Sequence, residues 1–289
     1  MLYVICNPTA GNGRARKTGE MIRQKLDRKG LKYEFHWTEK AGHATALAKS
    51  AQKCGAETVL AVGGDGTAFE VARGLLGGPC ALGVIPAGTG NDFIKTIGVP
   101  RSPEEALEYV LSHPAKKTDA GEINGSLFLN EIGTGFDVSV LDYAAKAKRY
   151  VRGILPYFYG VLRTAVRFHS IPVTYSADGA APVTVDAFVV GVANGGVIGG
   201  GIVIAPGAKA DDGLLDVVIV GRIEKRVLLS RLAGLMKGKI LTFPETTFVR
   251  ASSVVFSAPN MRVNIDGEIV TEARAAARVL PGALWVHRK

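Results

Sequence analysis

The densest group of residues able to do chemistry is Gly63-Gly64-Asp65-Gly66-Thr67, directly after the apolar run Val59-Leu60-Ala61-Val62. Three glycines let the backbone approach a phosphate chain closely, and the N–H groups that open a following helix attract negative charge. A carboxylate in such a loop opposes a bare phosphate. Asp65 therefore points to an anion that arrives with a divalent cation or a proton, as a metal–nucleotide does. A plain structural turn is the alternative. A second loop of the same build runs from Gly83 through Pro86, Gly88, Thr89, Gly90 and Asn91 to Phe93. Thr89 and Asn91 offer neutral hydrogen-bonding groups there, and Asp92 reads as the cap of the next helix rather than as a catalyst. A third loop, residues 7–18, contains Lys17-Thr18. Arg16 stands where a P-loop requires glycine, so that motif is rejected. Arg14, Arg16 and Lys17 either neutralise phosphate or form a solvated helix start.

These loops need strands to end on. Residues 2–6, 32–37, 58–62 and 81–85 are short runs rich in strand formers, with helical patterns at 17–29, 44–54 and 67–76 between them. Repeated strand–helix–strand units imply a parallel sheet covered on both faces. A further helix begins after Ser102, with Pro103 at its first position and Glu105 completing a capping box. Beyond Asp119 the pattern changes. Apart from one basic helical stretch, the remainder reads as strands at 127–132, 172–176, 183–193, 215–220, 253–257 and 262–265, punctuated by Asn124-Gly125, Asp178-Gly179 and Asp212-Gly213. The expected fold class is thus α/β plus mainly β. A parallel-sheet α/β nucleotide-binding domain at 1–120 precedes an antiparallel, β-sandwich-like domain at 121–289 whose final residues are free to return to the first.

Composition narrows the function classes. The 289 residues are 47% hydrophobic and 21% charged, too apolar for a disordered chain and too mixed for a membrane bundle. Residues 187–208 carry no charge and are long enough to span a bilayer, but Gly195-Gly196 and Gly199-Gly200-Gly201 interrupt them. Two short strands at 188–190 and 202–204 around a glycine loop fit better. Cys6, Cys54 and Cys80 have no CxxC spacing, which argues against a disulfide framework or zinc knuckle and for a reducing cytoplasm. The N-terminal run reads as a buried strand rather than a signal peptide. The net charge of +9 suits nucleic acid, an anionic membrane or a phosphorylated ligand. From Tyr143 to Ala177 there is no acidic residue, while Lys146, Lys148, Arg149, Arg152, Arg163 and Arg167 alternate with aromatic and aliphatic side chains. Such a segment suits a lipid headgroup surface; an ordinary helix pair with a solvated basic face is the other reading. There is no GxSxG, no HExxH and no metal-ligand spacing among His36, His43, His113, His169 and His287. No recognised nucleic-acid module occurs.

The motifs form an ordered set: Asn7-Pro8-x-x-Gly11-x-Gly13, Gly63 to Thr67, Ile85-Pro86-x-Gly88-Thr89-Gly90-Asn91-Asp92-Phe93, and Phe128-Leu129-Asn130-x-x-Gly133-x-Gly135-Phe136-Asp137. Asn194-Gly195, Gly199 to Gly201, Pro206, Asp212-Gly213-Leu214-Leu215-Asp216 and Asp266-Gly267-Glu268 follow. Over nearly the whole chain this set resembles the diacylglycerol kinase catalytic-domain family, which includes soluble bacterial lipid kinases and the sphingosine and ceramide kinases. The resemblance implies ATP in a cleft between the domains, contacted by Asn7, Pro8, Thr9, Ala10 and Gly11, by Thr38, by Gly64, Asp65, Gly66, Thr67 and Glu70, and by Thr89 beside Asn91. It implies a general base in the Asp-Gly-Glu turn, favouring Glu268, although the motif alone does not choose between Asp266 and Glu268. It further implies a structural Mg2+ at Asp212 with main-chain oxygens of Lys209 and Leu214, where the residues themselves read equally as a hairpin turn.

The chemistry expected on this basis is ATP-dependent phosphorylation of a lipid hydroxyl, diacylglycerol by default, at the inner membrane surface. Phosphoryl transfer needs positioning, charge neutralisation and one carboxylate to take the hydroxyl proton, so no nucleophilic Ser or Cys is required. NAD kinase shares the Gly-Gly-Asp-Gly loop and is the nearest rival. A lipid- or nucleotide-binding protein without turnover is the second. Acceptor identity and oligomeric state, a homodimer included, are not set by these motifs.

Overall fold

The structure is a computed structural model that describes residues 1–147, 150 and 155–289. Lys148, Arg149 and Arg152 of the basic stretch lie outside the described residues. The chain forms two compact units, residues 1–119 with 281–289, and residues 120–280. The opening half runs β1 (Leu2–Cys6), α1 (Arg14–Arg28), β2 (Tyr33–Trp37), α2 (His43–Lys53), β3 (Thr58–Gly63), α3 (Asp65–Leu75), β4 (Ala81–Pro86), α4 (Asp92–Ile97) and α5 (Pro103–Ser112). Next come β5 (Ala115–Ile123), β6 (Ser126–Phe128), β7 (Glu131–Gly135), α6 (Phe136–Ala147), α7 (Leu155–Arg167), β8 (Ile171–Ala177) and β9 (Val183–Ala193). The chain closes with β10 (Val197–Ile198), β11 (Ile202–Val203), β12 (Leu215–Gly221), α8 (Lys225–Met236), β13 (Thr246–Ala251), β14 (Ser253–Ser257), β15 (Arg262–Ile265), β16 (Glu268–Thr271) and β17 (Ala275–His287).

In the first unit the strand order is β2-β1-β3-β4, and the C-terminal end of β17 pairs in parallel with β4 through Trp285 and Ala81. Every residue of β3 and β4 is buried, as a parallel sheet covered on both faces demands. The chain steps from β1 outward to β2 and then back across to β3. That reversal opens a crevice at the carboxyl ends of the strands, where open α/β sheets bind ligands. The helix starts at 14, 43 and 65 precede the expected ones at 17, 44 and 67. Gly13 and Gly42 are N-caps in the left-handed region without a side-chain cap, so no Ser, Thr or Asp announces the boundary. Ser102 caps α5 as expected, accepting from Glu105 N, while its hydroxyl donates to Glu104 Oε2. Asp92 is not the cap of α4. Asn91 occupies that position, and the Asp92 carboxylate pairs with Lys95 at 2.6 Å.

The second unit is antiparallel. β9 is its central strand, hydrogen-bonded to β7, β8 and β12. Val190 and Val192 of β9 enter one core with Phe128, Phe256 and Val263, whereas Phe188, Val189 and Ala193 enter a second with Phe136, Ala165 and Leu228. Three corrections to the expected elements follow. The expected strand 127–132 is two strands, β6 and β7, broken at Leu129 and Asn130. The charge-free stretch contains part of β9 and a two-stranded ribbon of β10 and β11. Helix α8 stands where only strands and turns were expected; its Leu228, Leu232 and Leu235 follow helical spacing and pack into the second core. No helix among the described residues is long and apolar enough to cross a membrane.

Candidate functional site

The loops after β1, β2, β3 and β4 enclose a cavity of about 430 Å³, within the ~300–1,000 Å³ usual for small-molecule sites. Asn7, Thr9, Ala10, Gly11, Thr38, Gly64, Gly66, Thr67, Glu70 and Thr89 line it, so ten of the expected nucleotide contacts meet in one place. Pro8, Asp65 and Asn91 do not line it. The loops after β1 and β4 are each held by a polar side chain of their own. Asn7 Oδ1 accepts from the Thr9 N–H and hydroxyl at 3.1 and 2.8 Å, folding the first loop. Asn91 braces the second glycine loop by accepting from Gly88 N and donating to Gly88 O. The Arg14 guanidinium donates to Gly11 O and Gly88 O, so it clamps two loops together and its charge stays beside them.

Gly88 explains why this junction requires glycine. A Cβ there would lie 2.4 Å from Gly64 Cα and 2.7 Å from Asn91 Oδ1. The two glycine loops thus touch backbone to backbone. Gly66 differs: a Cβ there would meet nothing within 4 Å, which leaves its backbone open to the cavity.

Asp65 sits behind this wall. Its Oδ1 accepts from Phe93 N at 3.0 Å, so the carboxylate caps α4 from across the fold of the first unit. Burial raises its pKa, and the Phe93 N–H opposes that shift. Glu70 works the same way on α2, accepting from Gly42 N and Ala44 N at 2.9 and 3.1 Å. Sequence reasoning missed Glu39, Lys40, Ala41 and Ala44, which with Gly88 complete the lining. Lys40 places an exposed ammonium at the wall, next to Thr38. No glycine signature marks that loop; its position after β2 at the switch point is the signal that was available. His43 is the first residue of α2, and its Nδ1 accepts from Glu39 N.

In the second unit the Asp-Gly-Glu turn joins β15 to β16, and its two carboxylates have different surroundings. Asp266 adopts a left-handed φ of 47° and accepts from three backbone N–H groups, Leu129 at 2.5 Å, Asn130 at 2.9 Å and Glu131 at 3.0 Å. Those bonds fasten the turn to the β6–β7 connection. Glu268 is exposed, and its carboxylate has no hydrogen-bond or ion-pair partner among the described residues. Asn264 supports the turn from below: its Oδ1 accepts from Gly267 N at 2.8 Å, and its Nδ2 faces Glu131 Oε1 and Asp137 Oδ2. Burial pushes the Asp137 carboxyl up to about 6, and its Oδ1 is buried without a hydrogen-bond partner. Asn264 and Glu131 were also missed, because only long-range pairing brings them to Asp137.

The expected Mg2+ position was tested on its donors. Asp212 Oδ1 accepts from Leu214 N at 3.2 Å, and Oδ2 pairs with Arg250, which also binds Asp216 Oδ1 at 3.0 Å. Arg250 thus already supplies positive charge at this turn. The described residues include no group of three His, Cys, Asp or Glu side chains able to hold a metal ion. A cation held by Asp212 with main-chain oxygens of Lys209 and Leu214 would share the Asp212 carboxylate with Arg250.

Residues 1–123 match the diacylglycerol kinase catalytic domain, and residues 130–288 match the YegS C-terminal NAD kinase beta sandwich-like domain. The chain is 34% identical over 298 residues to a "Probable lipid kinase YegS-like" of Pseudomonas aeruginosa, covering 99% of this chain and 93% of that one. It is 30% identical over 290 residues to a diacylglycerol kinase of Mycobacterium tuberculosis, with 98% and 94% covered. A solved structure of a candidate diacylglycerol kinase from Bacillus anthracis superposes with a TM-score of 0.82 at 27% identity, over 100% of this chain and 96% of that one.

Proposed function

Because this chain belongs to the diacylglycerol kinase catalytic-domain family and is a kinase by that membership, we propose that it transfers the γ-phosphate of ATP to a lipid hydroxyl, with a diacylglycerol-like acceptor. The observation that carries the donor half is the cavity at the carboxyl ends of β1 to β4. Its glycine loops bring main chain to the cavity wall, and Lys40 and the clamped Arg14 place positive charge there beside the Glu39 and Glu70 carboxylates. The main chain and the two cations suit a polyphosphate. Thr9, Thr38 and Thr89 supply neutral hydrogen bonds for the rest of the nucleotide.

A divalent cation would accompany the nucleotide. Asp65 accepts from Phe93 N behind the cavity wall and Asp92 pairs with Lys95, so the nucleotide's own phosphate oxygens would be the cation's main donors. When bound, the cation supplies charge neutralisation on the phosphate oxygens. In the second unit, Glu268 takes the proton of the acceptor hydroxyl as the new P–O bond forms, while Asp266 holds the turn that presents it. A free carboxylate suits a base. One bound by three N–H groups has its lone pairs engaged, which favours Glu268.

We place the enzyme in the cytoplasm, peripheral to an anionic inner membrane surface, with no nucleic-acid partner. The acceptor is tested by offering radiolabelled ATP with diacylglycerol, monoacylglycerol, a sphingoid base, phosphatidylglycerol and NAD. Label in a lipid supports the reading; label in NAD alone overturns it.

A further inference from the structure

Helix α7 has its polarity reversed. Its inner face is made of small or polar residues, Pro156, Gly160, Thr164 and Ala165, which are buried. Gly160 permits this, because a Cβ there would lie 2.4 Å from Val140 O of α6. The outward face carries Leu155, Phe158, Tyr159, Leu162 and Val166, each between 44% and 73% exposed. Their spacing of three, four, seven and eleven residues from Leu155 puts them in one stripe about 100° wide. A surface helix of this length ordinarily shows water the opposite pattern.

The cations lie beside the stripe. Arg163 and Lys146 both stand over the Tyr143 ring, 5.9 and 5.7 Å from its centre, and Arg167 is exposed in the last turn. From residue 143 to 177 the sequence has no carboxylate. The adjacent Asp142 is neutralised by a two-pronged pair with Arg262 at 2.6 and 2.8 Å.

We propose that α7 is a membrane-docking helix that lies flat in the headgroup region of an anionic bilayer, its exposed stripe facing the acyl chains and Arg163 and Arg167 meeting lipid phosphates. At 13 residues and ~1.5 Å per residue it is about 20 Å long, too short to cross the ~30 Å hydrocarbon core. Charge selects this occupant over a second copy. A two-fold contact between α7 helices would oppose Arg163, Arg167 and Lys146 to their own duplicates, whereas an anionic surface attracts all three. The proposal deepens the lipid-acceptor reading and relies on it for why a bilayer is the relevant partner.

The test is co-sedimentation with phosphatidylcholine vesicles with and without phosphatidylglycerol, alongside analytical ultracentrifugation. Phe158→Ser/Leu162→Ser removes two exposed side chains, so circular dichroism should match the parent. Its affinity for anionic vesicles is expected to fall about tenfold or more. Arg163→Gln/Arg167→Gln is expected to lose about fivefold per charge, with weaker salt dependence in what remains. Unchanged vesicle binding by the Phe158/Leu162 variant overturns the proposal. So does a parent dimer that this variant dissociates while vesicle binding persists, since the stripe would then be a self-association face. Phosphate transfer to a dispersed short-chain diacylglycerol separates the two readings. Vesicle docking without transfer to any lipid leaves the docking helix standing and fails the acceptor assignment, whereas transfer without α7-dependent docking fails this proposal alone.

Discussion

Asp266 and Glu268 are two residues apart in one turn, and exchanging each for its amide should produce opposite phenotypes. The Asp266 carboxylate accepts three backbone N–H bonds. Hydrogen bonds to a charged group contribute roughly 1.5–3 kcal/mol each, and the lower end applies to this partly buried site. Asp266→Asn keeps an oxygen for Asn130 and Glu131, tolerates the left-handed φ, and loses the Leu129 bond and the charge, a cost of about 2 kcal/mol. Asp266→Ala loses all three bonds and adds about 1 kcal/mol of left-handed strain. Its total of about 5 kcal/mol is a large part of the ~5–15 kcal/mol that stabilises a typical domain. Glu268→Gln should leave the urea midpoint unchanged and remove turnover. The assay is urea unfolding paired with kcat and KM on each variant. The reasoning is refuted if Asp266→Asn unfolds like the parent while its kcat falls as far as that of Glu268→Gln, because the carboxylate would then be acting in the reaction and not in the turn.

Other consequences are equally direct. Gly88→Ala drives a Cβ into the Gly64 backbone and should cost about 1–3 kcal/mol, whereas Gly66→Ala in the first turn of α3 should keep or raise Tm yet weaken ATP binding in calorimetry. Equal loss of Tm in both would contradict the separate roles of the two glycines. Asp137 has a folded pKa raised to about 6 by burial, so the native state holds its proton more tightly than the unfolded chain. Its penalty is absent below the unfolded value near 4 and complete above 6. The stability of Asp137→Asn relative to the parent should therefore rise from pH 4 to 7, and a flat difference would remove that role. At the Asp212 turn, Arg250→Met should lower Tm because Asp216 loses its partner, and an unchanged Tm would remove that role for Arg250.

Sequence patterns reached different depths in the two units. β1, β3 and β4 were legible because apolar runs bounded by glycine loops admit few other structures, and β9, β14 and β15 because alternation and turn dipeptides bracket them. Helix boundaries at Arg14 and His43 were not, since their caps are backbone conformations of Gly13 and Gly42. Strand β17 was missed as an element, and its pairing with β4 joins residues far apart in the chain, Trp285 with Ala81. In the site, the phosphate-approaching loops announced themselves through glycine. What they hid was division of labour. Asp65, Glu70 and Asn91 look like ligand contacts, yet only Glu70 lines the cavity, and the three brace α4, α2 and the second loop. The Asn264 contacts with Asp137 and Glu131 span 127 and 133 residues of chain, a separation no local pattern encodes.

The central claim is that the cavity of the first unit binds the phosphate donor and Glu268 of the second takes the acceptor proton. The most direct measurement is label transfer from ATP to diacylglycerol in mixed micelles with Mg2+, with ATP affinity determined in parallel, for the parent and for Glu268→Gln. The account predicts equal ATP affinity in both proteins and labelled lipid from the parent alone. Labelled lipid from Glu268→Gln at the parent rate, or no labelled lipid from a parent that binds ATP, would contradict it.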